Sequence, residues 1–168
     1  MSTRNLIQVT ALTLCMLTHV NVMAQDSPGN ISAFGNSSFA ELKTELSGQP
    51  FVVSLWSVDC LPCRVELEML GELKRQNPSF PLVLISTDSI EQREEAIYIL
   101  EEHALDAIDS WMFADAFVER LRFSIDPSWH GELPRSYFYA KDHSFTAHSG
   151  ILTREKLLEL SGFLLVEN

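Results

Sequence analysis

Cys60-Leu61-Pro62-Cys63 sets two thiols with two residues between them, a spacing at which the sulfurs reach disulfide distance. The pair follows Phe51-Val52-Val53-Ser54-Leu55-Trp56, a β-branched and aromatic run that reads as a central strand buried on both faces. After it come Arg64-Val65-Glu66-Leu67-Glu68-Met69-Leu70-Gly71-Glu72-Leu73-Lys74, strong helix formers apart from Gly71, stopped at Asn77-Pro78. A dithiol between the end of a strand and the start of a helix meets unpaired amides and the positive end of the helix dipole. Both favour a thiolate on the first cysteine. Cys60 is therefore the candidate nucleophile and Cys63 the candidate resolving thiol of a disulfide-exchange reaction.

Two other readings of the pair are a metal half-site and an inert disulfide. Zinc would need two more ligands from His103, His130, His143 and His148, and none of these falls at a tight ligand spacing. Copper(I) accepts two thiolates alone, so a copper carrier using Cys60 and Cys63, with His130 as a further ligand, stands as the alternative binding function. Glu66 lies one helical turn after Cys63 on the same face, where a partly buried carboxylate would exchange a proton with that thiol; spacing alone favours a solvated surface Glu. Asp59, directly before Cys60, is a like charge that opposes thiolate formation if it lies close.

The compartment follows from the start of the chain and from its cysteines. Arg4 precedes the apolar stretch Ala11-Leu12-Thr13-Leu14-Cys15-Met16-Leu17, and Val22-Met23-Ala24 resembles a cleavage site, so residues 1–24 read as a secretory signal peptide. His19 and Asn21 interrupt the run short of the ~20 apolar residues of a membrane span. Bulky Leu14 argues against acylation at Cys15. Cleavage would remove Cys15 and leave one cysteine pair in an exported chain, which is too few for a disulfide-stapled fold. The pair therefore reads as chemical. Lys and Arg total 12 against 23 Asp and Glu, a net charge of −11, which argues against nucleic acid and anionic membrane surfaces as partners. After cleavage nothing marks an integral membrane protein.

The elements that position the dithiol read as alternating helix and strand in 168 residues, the size of one α/β domain. Residues 25–37 are a polar, irregular lead-in, and 38–168 the folded domain. Ser38-Phe39-Ala40-Glu41 matches a capping box opening a short helix. Leu82-Val83-Leu84-Ile85-Ser86 is a second buried strand, and Asp88 or Ser89 caps a helix from 90 to about 105. Trp111-Met112-Phe113 reads as a third strand, with Asp115 capping a helix through Arg122. Beyond Pro134, Ser136-Tyr137-Phe138-Tyr139-Ala140 and Phe145-Thr146-Ala147-His148 form a hairpin, and Thr153 caps a last helix.

The segment from Trp56 to Glu66 resembles the active-site segment of the thioredoxin superfamily, most closely its TlpA/ResA-type periplasmic thiol:disulfide oxidoreductases. Trp56, both cysteines, Pro62 and Glu66 carry the match, and the resemblance extends from about Ser38 to Phe163. It implies a central mixed β-sheet flanked by helices, with a βα insertion around 87–105. It also makes Glu66 the active-site acid and Leu133-Pro134 a cis-proline beside the dithiol that offers backbone groups to an extended partner. A client segment would then be bound by Trp56, Leu61, Pro62, Leu133, Pro134 and Arg135, with Arg135 selecting an acidic partner; without the resemblance, Pro134 is a loop terminator. Trp129 and His130 either border the groove or pack the loop. Asp59 stands where the family commonly has Trp, Glu68 where it has Pro, and Ser54 where thioredoxin proper has a buried Asp. The first two departures bear on redox potential, and the third leaves Glu66 as the candidate acid.

The resemblance implies a periplasmic protein-disulfide reductase with no organic cofactor and no metal. Its partners would be client proteins with disulfides or thiols, such as apocytochrome c or a copper-site protein, and a membrane thiol donor. A protein disulfide oxidase uses the same residues at a higher potential.

Overall fold

The computed structural model describes residues 31–162. They run β1 (Ile31–Phe34), α1 (Ser38–Glu45), β2 (Phe51–Trp56), α2 (Leu61–Gln76), β3 (Leu82–Ser89), a 3-10 turn (Ile90–Gln92) and α3 (Arg93–Glu102). Then come β4 (Ser110–Phe113), α4 (Val118–Ile125), β5 (Arg135–Tyr139), β6 (Phe145–Ser149) and α5 (Arg154–Leu160). The signal-like residues 1–24, with Cys15, lie outside the described residues.

Six strands form one mixed sheet in the order β1-β4-β3-β2-β5-β6. β1, β4, β3 and β2 pair parallel, while β2–β5 and β5–β6 are antiparallel. β2 is thus central, and all six of its residues are buried, as its apolar run requires.

Strand alternation divides the core into two layers. Val52 and Trp56 of β2, Leu84 of β3 and Phe138 of β5 pack with Leu67, Leu70, Ile99 and Leu157 from α2, α3 and α5. Val53, Leu55, Ile85, Tyr137 and Tyr139 point the other way, onto Phe39, Leu42, Leu121 and Ile125 of α1 and α4. Each fully buried leucine contributes about 1.5–3 kcal/mol relative to exposure. The same parity puts Ser54, between Val52 and Trp56, on the face covered by α2.

Four local expectations change. Ile31–Phe34, inside the stretch read as an irregular lead-in, is an edge strand with Ile31 and Phe34 buried, because parallel pairing to β4 supplies partners that the short segment does not reveal. Ser38 opens α1 without capping it: its hydroxyl accepts from the Gly35 amide at 2.9 Å, closing the preceding turn. Neither Asp88 nor Ser89 caps the next helix; both belong to β3, and α3 begins only at Arg93, after the 3-10 turn. Asp115 accepts from the Phe117 amide, but α4 starts at Val118 and runs on to Ile125. The 3-10 turn and α3 fill the expected insertion, and β4 follows them. Thr153 does cap α5, accepting from Lys156.

Gly71 interrupts the helix formers of α2 for a packing reason. A methyl group there would overlap the backbone carbonyl oxygen of His103, the residue that ends α3. Gly71→Ala is expected to lower the unfolding free energy by about 1–3 kcal/mol through overpacking, opposite in sign to the ~1 kcal/mol gain of the same change in an exposed helix. Urea titration of both proteins reads the difference.

Candidate active site

The chain leaves β2 at Trp56 and turns through Ser57-Val58-Asp59 into Cys60, the N-cap residue of α2. Its backbone is extended, and its sulfur accepts the Cys63 amide at 3.2 Å, the place that a Ser or Asp oxygen takes in an ordinary cap. Pro62 suits the first turn because its missing N–H is one that the helix leaves unpaired anyway. The first turn carries no acid, so negative charge on the Cys60 sulfur meets an amide and the helix dipole. Asp59, just outside, is exposed.

Cys60 and Cys63 form a disulfide, with Cα atoms 5.2 Å apart. Cys60 is half-buried and Cys63 only 1% exposed, so an incoming sulfur reaches Cys60 first. Leu61, at 79% exposure, Pro62 and Val65 make the surface beside it.

Glu66 is 1% exposed, within the stripe of α2 that also buries Cys63, Leu67 and Leu70. Oε1 accepts from Ser54 Oγ at 2.8 Å and Ser136 Oγ at 3.0 Å, and Oε2 accepts from the Leu152 amide at 3.0 Å. Burial pushes the Glu66 carboxyl above its ordinary range; the Leu152 amide, the two hydroxyls and the charge of His148 pull it back without offsetting the burial. A carboxyl that is protonated more readily than usual, one turn from the resolving thiol, is equipped to take up and return a proton.

The Leu133–Pro134 peptide is cis, as the resemblance implied. Pro134 is buried and its carbonyl accepts from the Gly150 amide at 2.9 Å, so this carbonyl is already engaged within the chain. Leu133 is half-buried against the same layer as Cys60 and Cys63.

Two expected groove residues are placed elsewhere. Trp56 is 1% exposed in the layer beneath the dithiol, because it belongs to the inward parity of β2, and it presents no surface to a client. Arg135 is engaged inside the chain: it pairs with Asp126 at 3.3 Å and Glu132 at 3.3 Å, donates to Ser149 Oγ at 2.6 Å and lies over the Tyr137 ring. With its charge already matched by two carboxylates, it has little to offer an acidic partner. Trp129 is buried in the α1/α4 layer and donates to the Glu132 carbonyl. His130 is exposed on a surface hollow with Glu119, Arg122 and Phe123. Among the described residues no three His, Cys, Asp or Glu side chains converge as a metal site, and His130 brings no third ligand to the cysteines.

Sequence reasoning missed Asp88. Its Oδ2 accepts the Val58 amide at 2.8 Å and Ser86 Oγ at 2.6 Å, and its Oδ1 accepts Ser57 Oγ at 2.9 Å. Arg64 holds the same turn from the helix side, donating to the Val58 carbonyl at 3.2 Å. The available signal was position: Ser57 and Asp88 stand at the C-terminal ends of neighbouring parallel strands, where α/β sheets build their sites. Ser136 and Leu152 were missed because only the tertiary fold brings them to Glu66.

Asp88→Ala leaves the Val58 amide unmet in a part-buried turn, and is expected to cost roughly 2–3 kcal/mol. The loss should appear in denaturant unfolding, together with faster hydrogen exchange at Val58 and Cys60.

No protein-family profile matches the chain, and no curated protein matches it. Solved structures do. A thioredoxin-family thiol:disulfide interchange protein from Chlorobium tepidum aligns at 19% identity and a TM-score of 0.57, over 72% of this chain and 83% of that one. A secreted Mycobacterium tuberculosis disulfide oxidoreductase, homologous to E. coli DsbE, aligns at 18% identity and a TM-score of 0.56, over 71% and 85%. A secreted thiol-disulfide isomerase from Corynebacterium glutamicum aligns at 18% and 0.56, over 74% and 75%. With its mixed sheet, its cysteine pair at the strand-to-helix junction and its cis-proline, the chain has the thioredoxin-like fold that these thiol:disulfide oxidoreductases share.

Proposed function

We propose that the protein is an exported thiol:disulfide oxidoreductase that acts as a protein-disulfide reductase in the periplasm. One observation carries this reading: an accessible cysteine capping a helix, a buried partner cysteine on the first turn, and a buried carboxyl one turn further. The secreted structural neighbours and the signal-like first 24 residues support the compartment. Proteins with disulfides are the clients, and a membrane thiol donor restores the dithiol; apocytochrome c and copper-site proteins are candidate clients.

In the reduced protein the Cys60 thiolate attacks one sulfur of a client disulfide and expels the other as a thiolate, giving a mixed disulfide. Cys63 passes its proton to the Glu66 carboxylate, and its sulfur attacks Cys60 Sγ. The Cys60–Cys63 bond forms, the bond to the client breaks, and the client's second thiolate leaves and is protonated. Two electrons have moved from the dithiol to the client. The helix amide favours charge on Cys60, and the buried carboxyl supplies deprotonation to Cys63, which itself lacks contact with water.

The reduction potential of the Cys60–Cys63 couple, equilibrated against dithiothreitol or glutathione, is expected at about −250 mV or below; a value near −120 mV would make the protein an oxidant, and no two-electron couple would end the reading. Glu66→Gln is expected to slow resolution of the mixed disulfide roughly 10²-fold at neutral pH. It should also change stability with a definite sign. Because folding raises the Glu66 carboxyl above its ordinary 4.5, the stability tied to the protonated form is complete below that pH and lost as pH rises through the folded value. The unfolding free energy of Glu66→Gln relative to wild type should therefore increase from pH 4.5 upward, as read by urea titrations across pH.

A further inference from the structure

A buried carboxyl that shuttles protons needs an exit to water, and the register of the sheet points to one. Ser54 of β2 pairs with Ser136 of β5, and Ser136 pairs with His148 of β6. Residues opposite one another in antiparallel strands share a face with Cβ atoms about 4.5–5.5 Å apart. Ser54, Ser136 and His148 therefore form a polar row on the α2 side, and both hydroxyls of that row already donate to Glu66. The row ends at β6, the last strand of the sheet, where His148 is half-buried.

A second connection leads to the same side chain. His148 Nε2 lies 3.4 Å from the Ile151 carbonyl, and the next residue, Leu152, gives its amide to Glu66 Oε2. A carbonyl only accepts, so in this contact the imidazole is the donor. The titratable neighbours of Glu66 are Cys63, a turn earlier on α2, and His148; β2, β5 and the segment after β6 contribute hydroxyls and an amide. Arg135, Glu132 and Ser149, next to this row, bond among themselves, Arg135 reaching Asp126 and lying over Tyr137 in the opposite layer.

We propose that His148 carries protons between the buried Glu66 carboxyl and solvent during dithiol exchange, acting through Glu66 and touching neither sulfur. When Cys63 resolves the mixed disulfide its proton moves to Glu66, then along the Ser136–His148 row to the imidazole of His148, and the imidazolium releases one proton to water. Re-reduction runs the same transfers in reverse. The inference rests on the exchange activity proposed above.

The test uses the full mature chain, pre-reduced, with oxidised glutathione in single-turnover stopped flow, and ¹³C-carboxyl NMR of Glu66 across pH. Wild type, His148→Gln and His148→Ala are compared; Gln keeps a donor for the Ile151 carbonyl but carries no titrating proton. Both variants should slow the resolving step roughly tenfold at pH 7, below the ~10²–10⁴ of a group acting at the reacting atoms. Added imidazole should restore the rate of His148→Ala in a concentration-dependent way. In both variants the Glu66 titration should move to higher pH, because the imidazolium charge that holds it down is gone. The inference is overturned if both variants match wild type, if imidazole rescues nothing, if His148→Gln behaves as wild type, or if the Glu66 titration does not move. Failure of the exchange reading shows instead in wild type, as no reaction with oxidised glutathione, and the transfer role falls with it.

Discussion

A carboxyl group with 1% exposure keeps its charge only if the protein supplies donors where water would have been. At Glu66 these come from the middle of β2, the start of β5 and the segment after β6, three places far apart in sequence. Meeting all three fixes the height and rotation of α2 over the sheet. The cysteines lie on the same helix one and two turns earlier, so the requirement that seats the carboxyl also seats the sulfurs. The Gly150 amide on the Pro134 carbonyl anchors the segment carrying Leu152, which ties the cis-proline to the same arrangement.

Asp126 shows what a buried acid looks like when its work is structural. Burial would raise it, but the donors Ser128, Tyr137 and Arg135 outweigh burial and hold it below its ordinary range. A guanidinium at 3.3 Å supplies a full opposing charge. Glu66 has two hydroxyls, an amide and only the more distant charge of His148, and burial wins. One sequence thus sets two buried carboxyls apart in opposite directions. The difference lies first in Ser128, which gives Asp126 both its hydroxyl and its amide, with Tyr137 and Arg135 adding to them, whereas the donors to Glu66 do not outweigh its burial.

Where one segment carries its own signal, the sequence is legible. β2 follows from its apolar run and α2 from its helix formers and its stop at Asn77-Pro78, and Cys60 and Cys63 are placed by the junction between them. The burial of Glu66 is not legible from spacing, which fits a solvated surface Glu; the fold places position 66 in the stripe with Cys63, Leu67 and Leu70. Illegible features are those set by pairing across the sheet. β1 is too short and too polar at Ser32 to read as a strand without β4 beside it. Asp88 has a good local reason to cap a helix, yet the Val58 amide on the neighbouring strand's turn competes for it and wins. Arg135 stands beside the cis-proline as a binding residue would, and only the fold shows that two carboxylates already hold it.

The alternation of side chains explains how a polar row survives at the centre of the sheet. On the α1/α4 face Phe51 stacks on Tyr139 at 4.7 Å, and Phe34 on Phe113 at 5.5 Å, an aromatic layer with large buried area. Both pairs are cross-strand partners, so they help hold β1 against β4 and β2 against β5 in register. The opposite face can therefore give up Ser54, Ser136 and His148 to polar roles and still present Val52, Trp56 and Phe138 to α2. Because a register slip of one residue would exchange the two faces, the aromatic layer also specifies which strand residues meet Glu66. The packing of one side of the sheet is thus what keeps the chemistry of the other side in place.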